Sequence, residues 1–82
     1  MTYKEFEHAL NEFLEKLQKS GEVQIEKKMY SEEVIVFRNK TNNMYWATYT
    51  ESLYDEYLKY DSLEKIFQYL TDAVKHYLFG SD

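Results

Sequence analysis

Hydrophobic residues near the start of the chain recur every three or four positions, which is the spacing of one face of an α-helix. The stripe consists of Phe6, Leu10, Phe13, Leu14 and Leu17. Thr2 and Glu5 are placed to form a capping box before it, and Gly21 follows where a left-handed cap residue is expected. This pattern predicts a helix over residues 3–19.

The middle of the chain changes to the two-residue alternation of β-strands. The predicted strands cover residues 22–28, 33–38 and 44–50, separated by turns at 29–32 and 39–43. The second strand is apolar at consecutive positions, so we expect it to be central and buried on both faces. In the third strand, Trp46 lies on one face, and Tyr45 and Tyr49 lie on the other.

Two helices are predicted after the strands. Ser52 and Asp55 resemble the start of a short helix that ends near Lys59, and Asp61 with Glu64 form a second capping box. The hydrophobic stripe after this box consists of Leu63, Ile66, Phe67, Leu70, Ala73, Val74, Tyr77 and Leu78. This stripe predicts a helix of about four turns.

The predicted element order is α-β-β-β-(short α)-α within a single domain, residues 1–82. Because the loops are short, the order favours an α+β fold: a three-stranded antiparallel meander with the two long helices on one face. The other face of such a small sheet is expected to remain largely open.

Composition narrows the class of protein. A chain of 82 residues buries only roughly 60% of its unfolded surface, which leaves little room for a deep cleft. The absence of cysteine, of an apolar leader and of a membrane-spanning run leads us to expect a cytoplasmic protein without membrane contact. Few residues have G/C-rich codons, which suggests a low-GC bacterium or its phage.

The net charge of −5 is unevenly distributed. The first 50 residues carry eight acids and seven bases, whereas residues 51–82 carry seven acids and three bases. An acidic field disfavours nonspecific contact with phosphate backbones and anionic lipids.

Catalytic, metal and cofactor sites are not expected. His8 with Glu12 and Asp72 with His76 have the i, i+4 spacing of a two-ligand chelate, but a firm zinc site needs three or four ligands. The glycines are accounted for as helix ends, so no phosphate-binding loop is visible. We therefore expect a protein that is not an enzyme.

The α-β-β-β-α order and the length resemble the double-stranded-RNA-binding domain. That resemblance implies lysines at the start of the last helix, where the family contacts phosphates. Here this segment, Asp61-Ser62-Leu63-Glu64-Lys65, is acidic. The resemblance therefore extends to the shape only, and direct RNA binding by this route is not expected.

Two alternatives concern the sheet. Trp46 with Tyr45 and Tyr49 could stack single-stranded bases, although such platforms normally include a basic groove. Burial of Trp46 under the helices is the simpler interpretation, since tryptophan is usually well buried. Alternatively, an open aromatic face could form a homodimer.

The segment from Tyr45 to Asp61 is rich in tyrosines and acids. Tyr57 and Tyr60 are predicted to cover the core. The candidate contact residues are Tyr49, Glu51, Tyr54, Asp55 and Glu56. Rigid tyrosine rings and carboxylates suit binding to a basic protein partner, because complementary charge increases the association rate and the specificity for that partner. In size and acidity the chain resembles small phage inhibitors of nucleic-acid enzymes, including anti-CRISPR proteins.

Overall fold

A three-stranded sheet and a layer of helices on one of its faces make up the part of the chain that the structure describes. The structure is a computed structural model that describes residues 1–80. In chain order the elements are α1 (Tyr3–Lys19), β1 (Val23–Met29), β2 (Glu33–Asn39), β3 (Tyr45–Tyr49), α2 (Thr50–Tyr60) and α3 (Leu63–Phe79). The strands pair antiparallel in the order β1-β2-β3. This confirms the predicted α+β meander.

The ends of α1 are capped as the sequence predicts. The Thr2 hydroxyl accepts a hydrogen bond from the Glu5 N–H (3.2 Å), and the Glu5 carboxylate accepts one from the Thr2 N–H (2.9 Å). Gly21 adopts a φ of +86°, which costs a glycine little, and its N–H donates to the Gln18 carbonyl. These bonds satisfy backbone groups that the helix itself leaves unpaired.

The start of α2 differs from the prediction. The helix begins at Thr50, directly after β3, and not at Ser52. Tyr49 occupies the N-cap position with extended backbone and no side-chain cap. The strand therefore runs into the helix without a loop, a junction that no turn residue marks.

The junction of α2 and α3 also corrects a prediction. Asp61 adopts a left-handed conformation (φ 50°) that ends α2, and its N–H donates to the Tyr57 carbonyl. The N-cap of α3 is instead Ser62, whose hydroxyl accepts from the Lys65 N–H (3.2 Å). Since aspartate tolerates the left-handed conformation, a two-residue connection suffices.

The core lies between the sheet and all three helices. Its fully enclosed members include Phe6 and Leu10 of α1, Ile35 and Phe37 of β2, Leu53 of α2 and Leu70 of α3. Burying a side chain of this kind contributes about 1.5–3 kcal/mol. Within residues 1–80, no helix is both long and apolar enough to cross a membrane.

The central strand is buried unequally on its two faces. Ile35 and Phe37, on the helix-covered face, have no exposed surface. Val34 and Val36 point to the other face and are only half-buried. The expectation that β2 is buried on both faces is therefore wrong, because all the helices of the described chain pack on one side.

A buried amide joins the last residue of β2 to the end of α3. Asn39 is 4% exposed. Its Nδ2 donates to the Leu78 carbonyl (2.9 Å), and its Oδ1 accepts from the Thr41 N–H (2.8 Å). The side chain thus connects the β2–β3 loop to the C-terminal turn of α3, where helix carbonyls need partners.

Candidate functional site

The opposite end of β2 lies where the β1–β2 turn, the start of α1 and the start of α2 meet. Val34 of β2 pairs with Tyr49 of β3. Because the strands are antiparallel, Glu33, which precedes Val34, is therefore the neighbour of Thr50, which follows Tyr49. The fully buried Thr50 hydroxyl donates to Glu33 Oε1 at 2.7 Å. This bond attaches the first turn of α2 to the sheet.

Around this bond lies a shallow acidic concavity of about 610 Å³. The carboxylates that line it are Glu7, Glu32, Glu33, Glu51 and Asp55, and the other lining residues are Tyr3, Met29, Ser31, Thr50 and Tyr54. Among the described residues, its lining includes no basic side chain. Glu33 has an ion pair with Lys27 (3.8 Å), whose ammonium group also donates to the Asn11 side chain.

The carboxylates are close enough to perturb one another. A hydrogen bond to the Glu32 side chain raises the pKa of Glu51, and the charges of Glu32 and Asp55, together with desolvation, raise it further. Glu51 lies in the first turn of α2, where the helix dipole favours a carboxylate. The raised pKa therefore indicates that the hydrogen bond to Glu32, which favours the protonated form, and the repulsion from neighbouring charges together exceed that benefit.

The same charges affect a phenol at the concavity. Burial raises the pKa of the Tyr3 hydroxyl first, and the negative charges of Glu7, Glu33 and Glu51 raise it further. A nearby negative charge disfavours ionisation of a tyrosine, so the contributions of these three glutamates, beside that of burial, are those of an electronegative concavity.

An aromatic cluster supports one side of the concavity. The Tyr54 ring lies edge-on to Tyr3 at 4.9 Å, and it also contacts Phe6 (5.2 Å) and Tyr57 (6.3 Å). Tyr57 is buried, as predicted, and Tyr54 is half-buried. Such ring pairs stabilise beyond simple burial, so the tyrosines at the site are held by the core.

The structure brings together three of the five predicted contact residues. Glu51, Tyr54 and Asp55 line the acidic concavity. Tyr49 lies instead on the open face of the sheet, and Glu56 lines a separate groove between α2 and α3. Consecutive residues of a helix point about 100° apart, which is why Asp55 and Glu56 diverge.

Tyr60 is a further correction. It is 47% exposed and does not cover the core. The ammonium groups of Lys59 and Lys65 lie over its ring, 5.3 Å and 5.2 Å from the centroid. The last turn of α2 places this ring at the groove that Glu56 lines, and Lys65 lines the same groove.

Sequence reasoning missed Glu7, Glu32 and Glu33. They belong to α1, to the β1–β2 turn and to the start of β2, and so lie far from Glu51 and Asp55 in the chain. The adjacent acids at 32–33 were a usable signal, because the meander places that turn beside the residue that follows β3.

Trp46 lies on the helix-covered face, as expected from the usual burial of tryptophan. Its ring is half-buried, 5.4 Å from Phe37 and stacked on Tyr77 at 5.9 Å. Tyr45 and Tyr49 are on the opposite face. The three rings therefore do not share one surface on which successive bases could stack.

The histidine and acid pairs have ordinary surroundings. His8 Nε2 lies 2.9 Å from Glu12 Oε1 on an exposed face of α1. Asp72 accepts a hydrogen bond from Gln68. Within residues 1–80, no three histidine, aspartate or glutamate side chains are grouped so that they could hold a metal ion.

Comparison with known proteins adds no relative: no family model, curated protein or solved structure matches this chain. The acidic concavity must therefore be interpreted from its own geometry and charge.

Proposed function

We propose that this protein is a binding protein whose acidic concavity docks on a basic surface of another protein. One observation carries the proposal: five carboxylates from separate parts of the chain converge on one concavity whose described lining has no basic residue. Charge complementarity of this kind speeds association and selects the partner.

The energetics of the concavity support this proposal. Like charges that raise the pKa of Glu51 work against the folded state. A lysine or arginine from a partner would relieve that repulsion, so the cost to the free protein becomes a gain on binding. Sites that oppose stability in this way are expected where a protein functions.

The tyrosines supply contact area beside the charges. Tyr3 is 39% exposed and Tyr54 is half-buried, and each is held by ring contacts. Held tyrosine rings lose little conformational entropy on binding, and tyrosine is enriched at protein interfaces. A partner therefore meets a surface that is largely formed in advance.

Carboxylates on a rigid scaffold can occupy a groove that otherwise receives nucleic-acid phosphates. The codon-biased composition agrees with a phage or mobile-element origin, and net charge −5 agrees with a partner of opposite sign. We therefore infer that the partner is a nucleic-acid-binding protein that this chain inhibits.

A ¹H–¹⁵N NMR titration with a short oligolysine peptide tests the location of the site. We expect the largest shifts at Tyr3, Glu51 and Asp55, and their loss at high salt, because screening shortens the range of charge interactions to a few ångströms. An oligoglutamate peptide of equal length is the control. Shifts centred on the Glu56 groove, or spread evenly over all acids, would contradict the proposal.

A further inference from the structure

The outer edge of β3 presents unpaired backbone groups. The Asn39 N–H donates to the Met44 carbonyl (2.8 Å), and every second residue of β3 after Met44 continues this bonding to β2. The N–H groups of Tyr45, Ala47 and Tyr49 therefore point away from the sheet. Among the described residues, no group forms a hydrogen bond with the outward N–H and C=O groups of β3. The exception is the Tyr49 carbonyl, because Tyr49 is the N-cap residue of α2.

The other edge of the sheet is protected. On β1, the outward N–H of Ile25 donates to the Gln18 side chain at 3.0 Å. Lys27 lies on the helix-covered face, is exposed at the strand edge, and contacts Glu33 and Asn11. An edge charge of this kind opposes pairing with another strand. The five residues of β3, Tyr-Trp-Ala-Thr-Tyr, have no charge and no proline.

Aromatic side chains flank the β3 edge on both faces. The exposed rings are Tyr45 (64%) and Tyr49 (47%) on the open face, and Tyr69 (53%) and Tyr77 (49%) of α3 on the other. Tyr69 and Tyr77 contact Trp46 of β3, each at 5.9 Å. Four half-exposed rings offer roughly 300–500 Å² for burial, a large part of the ~800 Å² per partner in a standard interface.

We propose that the β3 edge pairs antiparallel with the β3 edge of a second copy of this chain, about a twofold axis at Ala47. The outward row is Tyr45-Ala47-Tyr49, which is the same in both directions. Antiparallel pairing places alanine opposite alanine and each Tyr45 opposite the other copy's Tyr49. Cross-strand aromatic pairs are favourable, and no like charges meet within the paired strands.

The pairing would produce a continuous six-stranded sheet. Because the strands run antiparallel, the two acidic concavities, each beyond the Tyr49 end of β3, would lie at opposite ends of the joint sheet. The dimer uses the strand edge and α3, whereas the proposed function uses the concavity. Each can therefore fail without the other.

Sedimentation equilibrium over a concentration series tests the pairing. We expect a monomer–dimer equilibrium for the unmodified chain. Ala47→Glu, which places two carboxylates opposite each other at an exposed position, should raise the dimer dissociation constant by about tenfold or more. The control Gln24→Glu adds the same charge to the open face of β1 and should leave the dimer dissociation constant unchanged. A chain that stays monomeric throughout the series would overturn the proposal.

Disulfide trapping gives a second test, since the chain has no cysteine of its own. Directly opposite, hydrogen-bonded residues of antiparallel strands have Cα atoms about 5.5 Å apart, within the disulfide range. Under a mild thiol oxidant, Ala47→Cys should form a disulfide-linked dimer at least about tenfold faster than Gln24→Cys, because pairing raises the effective concentration. Equal rates for the two variants would contradict the twofold axis at Ala47.

Discussion

The two ends of β2 hold polar side chains in contrasting ways. At one end, the buried Asn39 amide has a partner on each side, in the β2–β3 loop and in α3. At the other end, Glu33 accepts from Thr50 and lies beside a group of further carboxylates. The first arrangement satisfies every buried group, whereas the second brings like charges together.

This difference separates polar groups that stabilise the fold from those that do not. A neutral amide with matched partners costs little to bury, and leaving its partners unpaired is expensive. Clustered carboxylates repel one another when they are all ionised, and the raised pKa of Glu51, which its hydrogen bond to Glu32 and the neighbouring charges cause, agrees with this. We therefore assign a structural role to Asn39 and a binding role to the acidic concavity.

The largest expected effect is at the structural end. Asn39→Ala removes the shorter of two bonds to the Leu78 carbonyl and leaves the Thr41 N–H without its partner, so we expect the free energy of unfolding to fall by about 2–3 kcal/mol. Urea denaturation measures this loss. The control Asn42→Ala removes a longer, partly exposed bond to the same carbonyl (3.4 Å) and should cost far less. Equal losses would remove the special role of Asn39.

A smaller loss is expected at the acidic end of β2, where the buried Thr50 hydroxyl joins α2 to the strand. Thr50→Val keeps the shape of the side chain but removes its hydrogen bond to Glu33, at an expected cost of about 1 kcal/mol. The same denaturation experiment measures it. Binding of the oligolysine peptide should persist, since the carboxylates remain. A stability equal to that of the unmodified chain would mean that this bond does not hold α2 to the sheet.

The smallest effects should differ in sign between two glutamates in first helical turns. Bonds to Thr2 lower the pKa of Glu5, whereas Glu32 raises that of Glu51. At pH 7, Glu5→Gln should therefore lower the thermal midpoint and Glu51→Gln should raise it.

The pH dependence of these two variants follows from the same shifts. The folded state holds the Glu51 proton to higher pH than the unfolded state, so the unmodified chain loses stability as pH rises through the raised pKa. The advantage of Glu51→Gln is therefore full at pH 7, fades as pH falls through the raised pKa, and is gone below the ordinary glutamate pKa. The stabilisation from Glu5 has the opposite sign and is lost as pH falls through its lowered pKa. Thermal melts from pH 3 to 7 test both signs, and a destabilising Glu51→Gln at pH 7 would contradict the repulsion.

The long helices and the strands could be predicted because their faces are either buried or solvated. The stripe through Phe6 and Leu10 and the alternation around Trp46 directly reflect this burial. The ends of the helices were harder to predict where no turn residue marks them, as at Tyr49. They were also harder to predict where two residues could each serve as the cap, as at Asp61 and Ser62.

The candidate site could be predicted only in part. Glu51 and Asp55 lie near each other in the chain, so local reasoning found them. Glu7 and Glu33 join them only through the packing of α1 and the strand register, which are long-range properties. The prediction also placed Glu56 and Asp55 in one contact site, because it rested on composition and ignored that neighbouring residues of a helix point in different directions.

The most direct test of the acidic concavity is capture of partners from a low-GC bacterial lysate, followed by titration of the captured protein. The variant Glu51→Lys with Asp55→Lys leaves three acids and two bases in the concavity and so removes most of its negative charge. Glu15→Lys with Glu56→Lys makes the same change in net charge elsewhere. We expect to capture a basic partner that salt releases from the unmodified chain. This partner should not bind the Glu51→Lys, Asp55→Lys variant and should still bind the control variant. Equal binding of both variants would contradict a role for the concavity.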